Sequence, residues 1–182
     1  MSGKLYVFSG PSGIGLRELV GSLLESRADC AAVTPVTARK RKPGERDGVG
    51  YYFYDLDSWN ALKESGDLLE TTVLAGNDYG TSRRLVREKL DTGLNVLLAL
   101  EVERAAQLKR NMPEAVCVWL EPADPAVLES RCRAASRSGF ECRVRLETAA
   151  RERALSGFCD RRIATDDPDA ALRELNALLD GE

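Results

Sequence analysis

The chain has 182 residues, of which 43% are hydrophobic, enough for one folded core and too few for two independent domains. Its net charge of −3, with 26 basic and 29 acidic residues mixed along it, gives no sign of an extended nucleic-acid or membrane surface. Histidine is absent, which excludes Ser-His and Cys-His nucleophilic triads, HExxH metal sites and imidazole acid-base chemistry.

In chain order, Leu5-Tyr6-Val7-Phe8 is an apolar run that ends in Ser-Gly-Pro, and Leu16, Leu19, Val20, Leu23 and Leu24 then recur at helical spacing. This predicts strand, glycine loop, helix. Residues 34–82 break the pattern: TARKRKPGERDGVGYYFY, a short helix near Asp57–Glu64, and LLETTVLAGNDYGTS are polar, glycine-rich and aromatic by turns. They predict an insertion with its own small sheet. Asn95–Leu100 and Ala115–Leu120 are continuous apolar runs, as parallel strands covered on both faces require. Helical patterns fall at 83–92, 102–111, 124–134, 141–156 and 168–179. Pro125 and Pro168 each follow an aspartate, which makes Asp124 and Asp167 the expected caps. The alternation predicts an α/β fold around a parallel sheet.

Five cysteines, odd in number, widely spaced and without a CxxC pair, predict free thiols and neither a disulfide framework nor a zinc site. No apolar run approaches the length of a membrane span, and MSGKLYVFSG lacks the apolar stretch and cleavage region of a signal peptide. The expected location is the cytoplasm.

The chemistry concentrates in SGPSGIGLRE. Gly10, four intervening residues and Gly15 match GxxxxG between a predicted strand and helix, where successive backbone N–H groups and the helix dipole can surround an anion. The phosphate loop is therefore assigned to Gly10, Pro11, Ser12, Gly13, Ile14 and Gly15. An active loop continues with Lys, which tracks the β- and γ-phosphates, and Ser or Thr, which ligates Mg²⁺; here Leu16 and Arg17 follow. Removing a unit charge about 4 Å from a phosphate forfeits on the order of 4 kcal/mol at an effective dielectric of about 20. Felt wholly in the transition state, that slows the reaction roughly a thousandfold. A cation in the first turn of a helix opposes the dipole, so Arg17 either meets a nucleotide phosphate or turns into water.

Taken together, SGPSGIG, TARKRKPGERDGVGYYF, LLE, GNDYGTS and IATDDPDAALREL resemble the guanylate kinase family in order and spacing over nearly the whole chain. The resemblance implies a P-loop three-layer fold with a parallel central sheet, a small mixed GMP-binding insertion and a helical lid. It divides a single domain, 1–182, into a core of 1–33, 83–130 and 149–182, an insertion at 34–82 and a lid at 131–148. Arg39 and Lys42 then match the basic residues that clasp the GMP phosphate, with Lys42 keeping the charge of the more usual Arg but losing its bidentate geometry. Tyr51 and Tyr79 match the tyrosines that reach the same phosphate, and Glu45 the acid that orients the clasp.

Thr34, Glu70 and Thr81 match positions that contact guanine, whose N1–H and 2-amino group one carboxylate can accept together. Singly, the ARKRK run reads as a solvated loop and Glu70 as a surface acid; the joint spacing favours the site. On the donor side, Glu101, Arg131 and Arg145 match catalytic positions of the family, and Arg17, which departs from its pattern, is assigned a catalytic role as a partial replacement for Lys and metal. Ala99 stands where the family has the partner acid of Glu101, Glu103-Arg104 replaces its Gln-Gly, and Thr165 stands where it often has an Asn near adenine.

Two function classes follow. One is ATP-dependent phosphorylation of GMP to GDP with impaired catalysis, using ATP and Mg²⁺. The other is a catalytically inactive relative that binds GMP or a phosphorylated protein as sensor or scaffold. GMP is the expected partner, ATP its donor, and neither a membrane nor a nucleic acid is expected.

Overall fold

The computed structural model describes residues 2–181. β1 (Leu5–Ser9) runs through the glycine loop into α1 (Leu16–Ser26), followed by β2 (Cys30–Ala31). The chain then leaves the main sheet for β3 (Val36–Thr37), β4 (Tyr52–Phe53), α2 (Leu56–Glu64), β5 (Leu68–Leu74) and β6 (Asn77–Ser82). It returns through α3 (Arg83–Asp91), β7 (Asn95–Ala99), α4 (Val102–Asn111), β8 (Val116–Glu121), α5 (Pro125–Ala135) and α6 (Gly139–Leu155). A 3-10 turn at Ser156–Phe158, β9 (Arg161–Ala164) and α7 (Pro168–Asp180) complete it.

The fold is α/β, with a five-stranded parallel sheet in the order β2-β7-β1-β8-β9 and a separate mixed sheet in the order β4-β3-β6-β5. Strand alternation explains the unbroken apolar runs, because each side chain has a helix layer to enter. Leu5 and Val7 face one cluster with Val96, Leu98, Ala105 and Leu108. Tyr6 and Phe8 face the other, with Leu97, Val118, Leu23 and Leu175. Both helix caps take their expected form: Asp124 accepts from the Ala126 N–H, and Asp167 from those of Asp169 and Ala170, each with Pro in the first turn.

The small sheet is drawn entirely from residues 36–82, within the stretch that broke the strand-helix pattern. Its third core cluster centres on Val36, Trp59 and Leu68. β5 and β6 are joined by Ala75-Gly76, both at positive φ (48° and 74°), the twist a two-residue hairpin needs. α6 starts at Gly139, ahead of the expected 141, because the Ser138 side chain caps it by accepting from the Glu141 N–H. It continues unbroken past residue 148, so the expected lid, 131–148, comprises the end of α5 and the first half of α6. Residues 1 and 182 of the expected domain lie outside the described residues.

No helix among the described residues is long and apolar enough to cross a membrane. All five cysteines are free thiols.

Candidate functional site

The glycine loop bends where its sequence permits. Gly13 and Gly15 hold φ of 96° and 76°, a region that disfavours side chains, and Gly15 caps α1 without any side-chain hydrogen bond. A Cβ on Gly10 would lie 2.3 Å from the Leu120 carbonyl oxygen, so only glycine lets the loop press against β8.

Beside the loop opens a cavity of about 690 Å³, walled by Gly10–Glu18, the C-terminal end of β7, the first turn of α4, and Thr148 and Glu152 of α6. Its ionisable lining is four acids, Glu18, Glu101, Glu103 and Glu152, against two arginines, Arg17 and Arg104. Glu152 Oε2 accepts the Ser12 N–H at 3.2 Å, so a carboxylate sits on the loop. Burial pushes the Glu152 carboxyl above its ordinary range, the Ser12 N–H opposes that, and nearby Glu103 and Glu101 reinforce it. Arg17 is exposed and lines this cavity together with a second one across α1.

The second cavity, of about 380 Å³, lies between the two sheets and is lined by Arg17, Tyr51, Tyr79, Thr81 and Arg104 among others. At its side, Arg39 Nη1 and Nη2 donate to the two Glu45 oxygens at 3.0 and 2.8 Å, while Glu45 Oε2 also accepts the Lys42 N–H at 2.7 Å. Those bonds, Arg39 first and the Lys42 backbone next, hold the Glu45 carboxyl down at about 2. The Arg39 guanidinium lies 5.7 Å from the Tyr51 ring centre and 5.3 Å from that of Phe53, and the Tyr51 and Tyr79 rings are 5.5 Å apart. Arg39, Glu45, Tyr51 and Tyr79, together with the backbone of Lys42, are thus gathered from 41 residues of sequence into one cluster.

Thr34 is half-buried just before β3. Glu70 and Thr81 are register partners on β5 and β6, and Thr81 Oγ1 donates to Glu70 Oε1 at 2.7 Å. Glu70 has 0% of its surface exposed. Its other partner is Arg104 of α4, whose Nε donates to Oε2 at 2.6 Å and Nη2 to Oε1 at 2.9 Å. Farther along α4, Gln107 Oε1 accepts the Thr71 N–H at 3.0 Å and Asn111 Nδ2 donates to the Leu69 carbonyl at 2.9 Å. These three side chains recur at the spacing of one helix face and run along β5. The sequence signals Arg104 only as an arginine replacing a glycine of the resembled pattern; nothing local names Glu70 as its partner.

A family profile described as "Guanylate kinase" matches residues 2–182. The chain belongs to the guanylate kinase family. It is similar to a guanylate kinase from Synechococcus sp. (strain JA-3-3Ab), with 38% identity over 97% of this chain and 82% of that one. A second relative, the guanylate kinase from Trichormus variabilis, is 35% identical over 99% of this chain and 91% of its own length. Among solved structures, guanylate kinase from Anaplasma phagocytophilum matches with a TM-score of 0.67 and 25% identity, covering 99% of this chain and 86% of that one. Guanylate kinases take GMP and ATP as substrates, with Mg²⁺.

Against that family chemistry, the cavity beside the glycine loop offers an ill-fitting set of metal ligands. A P-loop magnesium takes a loop hydroxyl and a carboxylate at the end of a neighbouring strand. In the resembled pattern the hydroxyl position is Arg17 and β7 ends in Ala99, which leaves Glu101, two residues on, as the one acid of the pair. Among the described residues no group of three or more Asp, Glu, Cys or His is arranged to hold a metal ion. Arg131 reaches the far side of the loop, donating from Nη2 to the Thr165 carbonyl at 2.8 Å and lining a third cavity of about 440 Å³ with Gly13–Gly15. Arg145 is not brought to the loop: it pairs with Glu141 on its own helix at 2.8 Å.

Proposed function

We propose that this guanylate kinase relative binds GMP between its two sheets and phosphorylates it from ATP slowly. The observation that carries the reading is the bidentate Arg39–Glu45 pair with the Lys42 N–H on the same carboxylate. It fixes the Arg39 guanidinium beside the Tyr51 ring, which Tyr79 adjoins, and ties the backbone of Lys42 to the same carboxylate, so that cationic and phenolic residues fall near one place, as a phosphomonoester dianion requires. In this reading residues 34–82 are the GMP-binding insertion, Arg39, Lys42, Tyr51 and Tyr79 grip its phosphate, Glu45 orients them, and Thr34, Glu70 and Thr81 face its base. Residues 131–148 are the lid.

Slow transfer follows from the other cavity. Phosphoryl transfer is mostly positioning and charge neutralisation, and here the loop lysine is Leu16 while carboxylates outnumber guanidiniums. Glu152 on the Ser12 N–H favours a second reading, a relative that binds GMP or a phosphorylated protein without turnover. A coupled assay of ADP and GDP formation, comparing the chain with Leu16→Lys/Arg17→Ser, tests both. We expect the double variant to be faster by about tenfold or more, out of the roughly thousandfold that one phosphate-facing charge can supply. A chain already within tenfold of its variant overturns the impaired-enzyme reading. GMP binding with no turnover in either supports the second.

A further inference from the structure

The carboxylate proposed to read the base already holds a ligand made of protein. A guanidinium edge presents two parallel N–H donors, and so does guanine through N1–H and its 2-amino group. Arg104 applies such an edge to Glu70, at 2.6 and 2.9 Å, while Thr81 holds Oε1 from the opposite strand at 2.7 Å. Glu70 is 0% exposed and lines neither neighbouring cavity, whereas Arg104 lines both. A base entering between the sheets therefore meets Arg104 first. For guanine to take the carboxylate, a cationic donor pair must give way to a neutral one, which keeps two hydrogen bonds to the carboxylate but forfeits the attraction between opposite charges. Arg104 is anchored on a helix that Gln107 and Asn111 fix to β5, so the guanidinium is held in register with the strand that carries Glu70.

We infer that Arg104 is the specificity-determining residue of this site: seated on Glu70, it competes with guanine for the base-reading carboxylate and leaves purine nucleoside monophosphates to be held chiefly by their phosphate. This rests on the GMP reading above. With Arg104 in place, the extra donor pair that distinguishes guanine from adenine finds no free acceptor at Glu70. The selectivity that a buried, unpaired acceptor enforces is thereby lost. Removing the guanidinium restores it.

Calorimetric titration of GMP, AMP and ribose 5-phosphate into the full chain, Arg104→Ala and Arg104→Ala/Glu70→Gln tests the inference. In the unaltered chain GMP and AMP should bind within about threefold of each other. Arg104→Ala should bind GMP about tenfold or more tightly, with AMP and ribose 5-phosphate changed by less than about threefold, and Glu70→Gln should cancel that gain. If Arg104→Ala leaves Glu70 too poorly compensated to fold, Arg104→Lys, which keeps the charge but not the two-donor edge, should still raise the GMP-to-AMP ratio. A strong GMP preference in the unaltered chain overturns the inference, as does a variant whose GMP affinity is unchanged or whose AMP affinity rises equally. In those cases ribose 5-phosphate binding still upholds the phosphate clasp. If no variant binds ribose 5-phosphate or either nucleotide, the GMP reading fails and this inference falls with it.

Discussion

Glu152 shows how one side chain couples the glycine loop to stability. Its carboxyl is raised above the ordinary value of 4.5 chiefly by burial, so the native state holds the proton more tightly than the unfolded chain does. The sign follows: well below 4.5 both states are protonated and nothing is lost, and as pH rises through 4.5 toward the raised native value, ionisation increasingly disfavours the fold. Glu152→Gln keeps an oxygen to accept the Ser12 N–H and removes the charge beside Glu101 and Glu103. It should melt at a higher temperature than the unaltered chain at pH 7 and alike at about pH 3.5. Thermal unfolding by circular dichroism reads both, and a lower melting temperature at pH 7 contradicts the account. At this scale the sequence disclosed the loop, because glycine spacing is local. It did not disclose the Glu152 contact, because Ser12 and Glu152 are 140 positions apart.

Among elements, legibility tracked burial. β1, β7 and β8 are covered on both faces and announced themselves as apolar runs. β9 did not, since Arg161, Arg162 and Ala164 are exposed and only Ile163 is buried, as an edge strand allows. β2, β3 and β4 have two residues each, too few to show any period. The starts of α5 and α7 were legible because an Asp-Pro cap is a local signal, whereas the Ser138 cap of α6 was missed, and the Asp167 cap has a measurable weight. Asp167→Ala removes the acceptor for the Asp169 and Ala170 N–H groups and should cost about 1 kcal/mol, seen as a lower urea midpoint with an unchanged slope. No shift in the midpoint means that the end of α7 is held by its packing against Ile163 and Tyr6 instead.

For the whole molecule, the cluster beside the small sheet was legible as a pattern and the pairing inside it was not. TARKRKPGERDGVGYYF and GNDYGTS carried the resemblance that gathered Arg39, Lys42, Glu45, Tyr51 and Tyr79, and the folded chain does bring these five together. Arg104 and Glu70 meet only because α4 follows β7 of the large sheet and lies along β5 of the small one. Tertiary pairs of that kind leave no periodicity in a sequence.

The seam between α4 and β5 also decides which parts of the molecule can move independently. Arg104, Gln107 and Asn111 rivet three consecutive residues, Glu70, Thr71 and Leu69, to a helix that belongs to the main layer. A swing of the small sheet about its hinges would have to shear all three attachments at once. Hydrogen-deuterium exchange should accordingly find the Thr71 amide as slow as the amides of β1, and Gln107→Ala should release Thr71 while leaving β1 protected. Thr71 exchanging as fast as the exposed tip at Ala75 and Gly76 would mean that the two sheets breathe apart.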